Sequence, residues 1–205
     1  MDKLSDYICF IENVLTKNQC EQVIQWYQDN IDEEYDSRVQ DGVKADVRKS
    51  KSIEVPLESE IYSILSLSVN STIYHYFNYL DNTLILKDDR KFSDFLPSEF
   101  ESDPYIINKY DIDGKYDWHV DKSDDPNSST LYSRKFSIVL YLNDNFEGGN
   151  TEFQFGYITP KQGGCLIFPS NFMYNHCSRP IKNGVKFSCA SWLSPKITKN
   201  NCKNI

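Results

Sequence analysis

At 205 residues, with 40% hydrophobic and 14% aromatic content, the chain is long enough for one domain with a sizeable core and too apolar for a disordered segment. Its 22 basic and 30 acidic residues leave a net charge of −8, which repels a phosphate backbone and argues against non-specific nucleic-acid binding. No apolar run reaches the length of a membrane span and the first residues lack signal-peptide features. The six cysteines contain no Cys-x-x-Cys pair, so the expectation is a soluble cytoplasmic protein with free thiols.

In chain order, residues 6–15 open with a strand-like apolar run. Asn18 then reads as a helix N-cap, with Glu21 completing a capping box ahead of Cys20, Val23, Ile24 and Tyr27 at helical spacing. From Asp29 to Ser52 the sequence is charged and aperiodic, with an Asp41-Gly42 turn signal and a basic group at Arg48, Lys49 and Lys51, and is expected to be a loop. Residues 53–56 suit a strand. Residues 57–80 suit one long helix with Ile61, Ile64, Leu65, Leu67, Ser68, Ile73 and Phe77 on its buried side and His75 as a structural residue. Asp81 to Glu101 reads as a helix or a folded insert.

The remainder is strand-rich. Alternation places Ile106, Asn108 and Tyr110 on one face, and Ser137, Val139 and Tyr141 opposite to Phe136, Ile138, Leu140 and Leu142. That fully apolar second set needs a cover, which the N-terminal helices can supply. Further strands are expected at 151–154, 156–159, 164–168, 173–178 and 185–193, separated by Gly, Pro and Asn-Gly signals. The fold class is therefore α+β, a double-stranded β-helix (jelly roll) backed by N-terminal helices. One domain is expected over residues 1–205: 1–101 as helical support and substrate loop, 102–195 as the jelly-roll core and 196–205 as a frayed tail.

The chemistry concentrates in Tyr116-Asp117-Trp118-His119-Val120-Asp121 and in the distant stretch from His176 to Lys186. His119 and Asp121 are two apart, so an extended strand sends both side chains from one face. Together with His176 they form a two-His, one-carboxylate set, which leaves open metal positions and suits non-haem Fe(II), with four-ligand structural zinc as the competitor. Asp117 shares the parity of His119 and Asp121 and competes for the metal, whereas Cys177 points away from His176.

Tyr-x5-Tyr-x2-His-x-Asp from Tyr110, then Arg-Lys-Phe-Ser-Ile-Val-Leu-Tyr-Leu-Asn, Glu-Gly-Gly-Asn-Thr and His-x9-Lys, in that order up to Trp192, resemble the 2-oxoglutarate and Fe(II)-dependent dioxygenases, specifically their prolyl 4-hydroxylase-like group. The resemblance implies Fe(II), 2-oxoglutarate and O2 as cofactors, with ascorbate as an accessory. It makes His119, Asp121 and His176 the metal ligands, selecting Asp121 over Asp117. It makes Lys186 the cation for the far carboxylate of 2-oxoglutarate, with Tyr141 bonding the same group and Tyr110, Tyr116 and Asn108 in the pocket. Arg134 and Gly148-Gly149 fit as scaffold, and Trp192 reads as core. For Lys186 to share a face with His176, a three-residue loop, Lys182-Asn183-Gly184, must pair Pro180 with Lys186, with Gly184 left-handed in a bulge; a two-residue turn puts them on opposite faces.

The implied reaction is oxidative decarboxylation of 2-oxoglutarate to succinate and CO2, coupled to hydroxylation of an unactivated C–H bond. The favoured substrate is a prolyl residue in a peptide or protein. The alternatives are the same chemistry on a free amino acid, small metabolite or nucleobase, the last through Arg48, Lys49 and Lys51. A non-catalytic jelly-roll module binding 2-oxoglutarate or iron, and a zinc hydrolase, are the readings from other classes. Residues 29–51 and 122–133 carry no assignable signature.

Overall fold

The computed structural model describes residues 3–39, 42–84, 86–97, 99–121 and 134–196; the 122–133 stretch, the expected turn residue Asp41, Cys202 and the end of the chain lie outside the described residues.

After β1 (Cys9–Ile11) comes α1 (Lys17–Asp29), which starts earlier than expected. Thr16, not Asn18, is the N-cap: its hydroxyl accepts from the Gln19 amide at 3.2 Å while Gln19 Oε1 accepts from the Thr16 amide at 2.9 Å. A Thr-x-x-Gln box thus outcompetes Asn-x-x-Glu because the chain turns into the helix at Thr16.

The charged 29–52 stretch is not only loop. It carries β2 (Tyr35–Asp36), β3 (Arg48–Lys49) and the start of β4 (Lys51–Glu54). These strands escape notice because they are short and lie at or near sheet edges, where outward positions are charged and apolar alternation is lost.

The long helix, α2, spans Glu60–Thr83 and buries Ile61, Leu65, Ser68, Val69, Thr72, Tyr76 and Leu80. Leu67 is 71% exposed because two residues of helix carry it about 200° away from Leu65. Ser68 is buried as expected, and Thr72 joins it in the packed stripe. Their hydroxyls donate to the carbonyls of Ile64 and Ser68, so burial leaves neither unpaired. His75 is exposed on the outer face. The following insert is two short 3₁₀ turns, Lys87–Asp89 and Phe92–Phe95, and β5 (Phe100–Ser102).

The strands that build the site are β6 (Ile106–Tyr110), β7 (Lys115–His119), β8 (Phe136–Tyr141), β9 (Glu147–Gly148), β10 (Thr151–Phe153), β11 (Gly156–Ile158), β12 (Cys165–Pro169), β13 (His176–Ser178), β14 (Ile181–Asn183) and β15 (Lys186–Pro195). An eight-stranded sheet runs β1-β12-β8-β15-β6-β4-β2, with β5 also on β15; a five-stranded sheet runs β11-β10-β13-β7-β3; β14 and β9 form a separate pair. This is a double-stranded β-helix, and every named strand pairing is antiparallel.

The alternation on β8 holds. Phe136, Ile138, Leu140 and Leu142 join α1 and α2 in one core, while Tyr141 packs with Phe153, Leu166, Phe168 and Tyr174 in a second core between the sheets. The helices therefore cover the outer face of the large sheet, and its inner face meets the small sheet.

The expected hairpin from His176 to Lys186 does not form. β13 pairs with β10 and β7, whereas β15 pairs with β5, β6 and β8, and Lys186 lies opposite Tyr110 rather than Pro180. Residues 179–185 instead cross from one sheet to the other, with β14 pairing β9 on the way. Gly184 is left-handed as expected, at φ +79°. His176 and Lys186 consequently approach from facing sheets, which is how a strand-to-strand crossing can place them in one cavity without a shared strand face.

Among the described residues no helix is long and apolar enough to cross a membrane, and Cys9, Cys20, Cys165, Cys177 and Cys189 are free thiols.

Candidate functional site

His119 ends β7 and His176 begins β13, directly opposite it in the ladder. Asp121 follows two residues after His119, and one ligand atom from each of His119, Asp121 and His176 lies within 4.8 Å of the others, a grouping that could hold a metal ion. The Nε2 atoms of His119 and His176 lie 3.5 and 3.7 Å from the two Asp121 carboxylate oxygens. His119 Nδ1 is 2.8 Å from the Asp117 carbonyl and His176 Nδ1 is 3.0 Å from the Tyr174 carbonyl. Carbonyls only accept, so each Nδ1 carries the proton and each Nε2 presents its lone pair towards the carboxylate.

Electrostatics agree with that arrangement. Burial alone pushes the Asp121 carboxyl up, but His176 and His119, aided by the Ser137 hydroxyl, hold it well below the usual carboxylate range. Burial lowers His176 to about 4 against the opposing pull of Asp121, so its imidazole is neutral at neutral pH. An anionic carboxylate beside a neutral imidazole is a ready donor set for a divalent metal.

Asp117 is not part of the cluster, and a bulge explains why. Between the pairs His176–His119 and Ser178–Tyr116 the register slips, so β7 spends three residues where β13 spends two. The extra residue reverses the parity. Tyr116 is brought to the face of His119, where the rings stack at 3.5 Å, and Asp117 is left exposed. Cys177 lies between cavity residues His176 and Ser178 and does not join the cluster.

From the large sheet, Lys186 enters the same cleft, which has a volume of about 600 Å³. Its ammonium donates to the Gly149 carbonyl at 2.7 Å and to Ser178 Oγ at 3.0 Å, and lies 5.3 and 5.5 Å from the ring centroids of Tyr110 and Tyr141. No carboxylate is among these contacts. Burial accordingly drops the Lys186 pKa to about 7. A buried cation with neutral partners is a site for an anionic group.

Asn108 and Tyr110 line the cleft as their parity requires; Asn108 Oδ1 accepts from Arg48 at 2.7 Å and from Ser52 at 2.8 Å. Tyr141 is placed differently from expectation. It is fully buried beneath the cleft, not in its lining, and its hydroxyl is 2.7 Å from Thr151 Oγ1, which does line it. The inter-sheet aromatic core claims the Tyr141 ring, and Thr151 presents the hydroxyl instead.

Two residues read as scaffold or core stand in the wall. Trp192 lines the cleft, and the Arg134 guanidinium lies 3.7 Å over its ring while pairing with Asp103 at 2.8 Å. The signal for Trp192 was available: Lys186, Ser188, Ala190 and Trp192 share one parity on β15 and all line the cleft. Ser178 could likewise have been read from its two-residue offset to His176. Arg38 and Val39 carry no such signal, because nothing in the sequence brings that stretch to the cleft. The basic group also separates: Arg48 faces the cleft and lies 4.5 Å over Tyr116, while Lys51 pairs with Asp36.

Residues 105–194 match the family model of the 2OG-Fe(II) oxygenase superfamily. The match covers fewer than half of the 205 residues, and over it the chain is similar to that superfamily. Members of that superfamily use Fe(II), 2-oxoglutarate and O2, and the three-ligand cluster facing a buried ammonium fits such a set. A PKHD-type hydroxylase of Synechococcus sp. (strain CC9902) is 28% identical over 107 residues, 49% of this chain and 45% of that protein, so the match spans under half of the relative. The fold is that of a viral collagen prolyl hydroxylase from Paramecium Bursaria Chlorella virus-1 in complex with 2OG, with TM-score 0.65, 17% identity and coverage of 93% and 97% of the two chains. It is also that of a prolyl hydroxylase from Trichoplax adhaerens in complex with a hypoxia inducible factor peptide fragment, with TM-score 0.67, 14% identity and coverage of 93% and 84%.

Proposed function

We propose that this chain is a 2-oxoglutarate- and Fe(II)-dependent dioxygenase that hydroxylates a prolyl residue in a peptide or protein. The observation that carries the reading is the presence, in one cleft, of the His119–Asp121–His176 cluster on one sheet and the buried ammonium of Lys186 on the other.

His119, Asp121 and His176 would hold the iron through two Nε2 atoms and a carboxylate oxygen, and the remaining positions would be left for ligands from the cleft. When bound, the iron with 2-oxoglutarate and O2 supplies the oxidising power for C–H hydroxylation. Lys186 would pair with the far carboxylate of 2-oxoglutarate, assisted by the Thr151 hydroxyl, whose orientation Tyr141 fixes. Tyr110 and Tyr116 would wall the co-substrate, and their rings exclude water from the pocket. Asn108, tethered by Arg48 and Ser52, would orient the substrate rather than bind the co-substrate.

A peptide suits the shape of the site. The cleft continues at one side into a second hollow of about 340 Å³ that shares Arg38, Arg48 and Ile106 with it. An extended chain can lie across both, whereas a free metabolite would fill only the first. The test is an anaerobic titration with Fe(II) and then 2-oxoglutarate, followed by succinate release with prolyl peptides. A weak visible charge-transfer band that needs both components, and peptide-stimulated succinate, support the reading. Fe(II) binding with no band on adding 2-oxoglutarate rejects it.

A further inference from the structure

Among the described residues of the cleft, cations outnumber anions, although the protein's own charge is negative. Among the described residues, Arg38, Arg48, Arg134 and Lys186 line it, against the single carboxylate of Asp121. Two of the four are accounted for: Arg134 is paired with Asp103, and Lys186 stands deep in the cavity. The other two, Arg38 and Arg48, sit together where the cleft opens into the side hollow.

Arg48 is held rigidly. Its guanidinium donates through Nε to Ser50 Oγ at 3.3 Å, through one terminal nitrogen to the Arg38 carbonyl at 3.1 Å and through the other to Asn108 Oδ1 at 2.7 Å, and it is stacked on Tyr116. All three acceptors are neutral. Among the described residues no carboxylate pairs with it. The bond to the Arg38 carbonyl anchors the backbone of the second arginine beside it. Among the described residues neither guanidinium has an ion-pair partner, although the arginines at 90, 134 and 179 all do. Glu54 stands in the wall of the side hollow, without an ion pair to either arginine among the described residues, and Tyr35 and Ser52 add hydroxyls there.

We infer that Arg38 and Arg48 form a subsite for a carboxylate on the substrate, so that the preferred substrate is an acidic peptide with an Asp or Glu close to the residue that enters the cleft. This rests on the oxygenase reading and names its substrate class. A preformed guanidinium without an ion-pair partner among the described residues pairs well with a carboxylate, and a second guanidinium at the rim adds long-range attraction. A nucleic acid is disfavoured, because a phosphate track needs a series of free cations and Lys51 is already paired with Asp36.

The test measures binding and turnover separately. Two labelled peptide libraries with a central proline are compared by fluorescence polarisation, one with a single Glu at the flanking positions and one with Gln. The Glu library is expected to bind about tenfold more tightly at low salt, and the advantage to shrink as salt rises. Arg38→Met, an exposed position, is expected to remove most of this difference. Glu54→Gln is expected to strengthen Glu-library binding, and Lys161→Met, remote and paired with Glu12, to change nothing. Equal binding of the two libraries, a difference that survives Arg38→Met, or stronger competition by a single-stranded oligonucleotide than by the Glu peptides overturns the inference. Succinate release is measured alongside. Absent succinate with an intact Glu preference rejects the oxygenase reading alone, and succinate release without that preference rejects the subsite alone.

Discussion

His119 and His176 stand opposite one another in the β7–β13 ladder, and each turns Nδ1 to the carbonyl two residues before it, at Asp117 and Tyr174. The same backbone device thus fixes both rings, with no need of a second carboxylate to orient either. Asp121, two residues after one of them, closes the triangle.

Loss of any corner is expected to abolish metal binding. His119→Ala, His176→Ala and Asp121→Asn should each weaken Fe(II) affinity by about 100-fold or more, since two ligands cannot retain a labile divalent ion against water. Anaerobic calorimetry or the charge-transfer titration measures this, and an Asp117→Asn control is expected to keep full affinity.

Lys186 ties stability and co-substrate affinity to pH. Its pKa is about 7 in the folded chain and near 10.4 when unfolded, so between those values the unfolded state binds more protons. Stability of the ligand-free protein is therefore expected to rise with pH across that window, by at most about 1.4 kcal/mol per unit, and Lys186→Met should flatten the dependence. Urea titrations at pH 6.5, 8 and 9.5 check it.

A carboxylate beside the ammonium restores the charged form, so 2-oxoglutarate binding is expected to take up a proton above pH 7. Affinity should fall towards about tenfold per pH unit in that range, and Lys186→Ala should weaken it about 30- to 100-fold at pH 7. Calorimetry in buffers of different ionisation enthalpy reads the proton directly.

Gly149 lies at φ +67°, and a Cβ there would come within 2.6 Å of Ile181 Cδ1 and 3.2 Å of Lys186 Cδ. Gly149→Ala is expected to cost about 1–3 kcal/mol and to raise the KM for 2-oxoglutarate, because the carbonyl that holds Lys186 moves with the backbone. Thermal denaturation and succinate kinetics separate the two effects.

Tyr141→Phe leaves Thr151 Oγ1 without the hydroxyl 2.7 Å away. A stability loss of about 1 kcal/mol is expected, together with a rise in KM for 2-oxoglutarate at little change in kcat, the pattern of a positioning residue.

By itself the sequence determined the His119–Asp121 pair, the inner and outer faces of β6 and β8 and the helical cover. Each of these follows from spacing within one element: two residues along a strand for His119 and Asp121, alternate parity for Asn108 and Tyr110, a helical stripe for Ile61 and Leu65. What the tertiary structure decided are relations between elements. The bulge that turns Tyr116 inward and Asp117 outward exists only because β13 fixes the register of β7. Lys186 meets His176 through a crossing between sheets rather than a hairpin, since β15 finds its partners in β5, β6 and β8. Arg48 reaches the cleft because β3 adds to the small sheet beside β7, a pairing between stretches more than sixty residues apart, and its bond to the Arg38 carbonyl holds that residue beside it. Local periodicity carries no information about such pairings, as backbone hydrogen bonds are alike for every side chain.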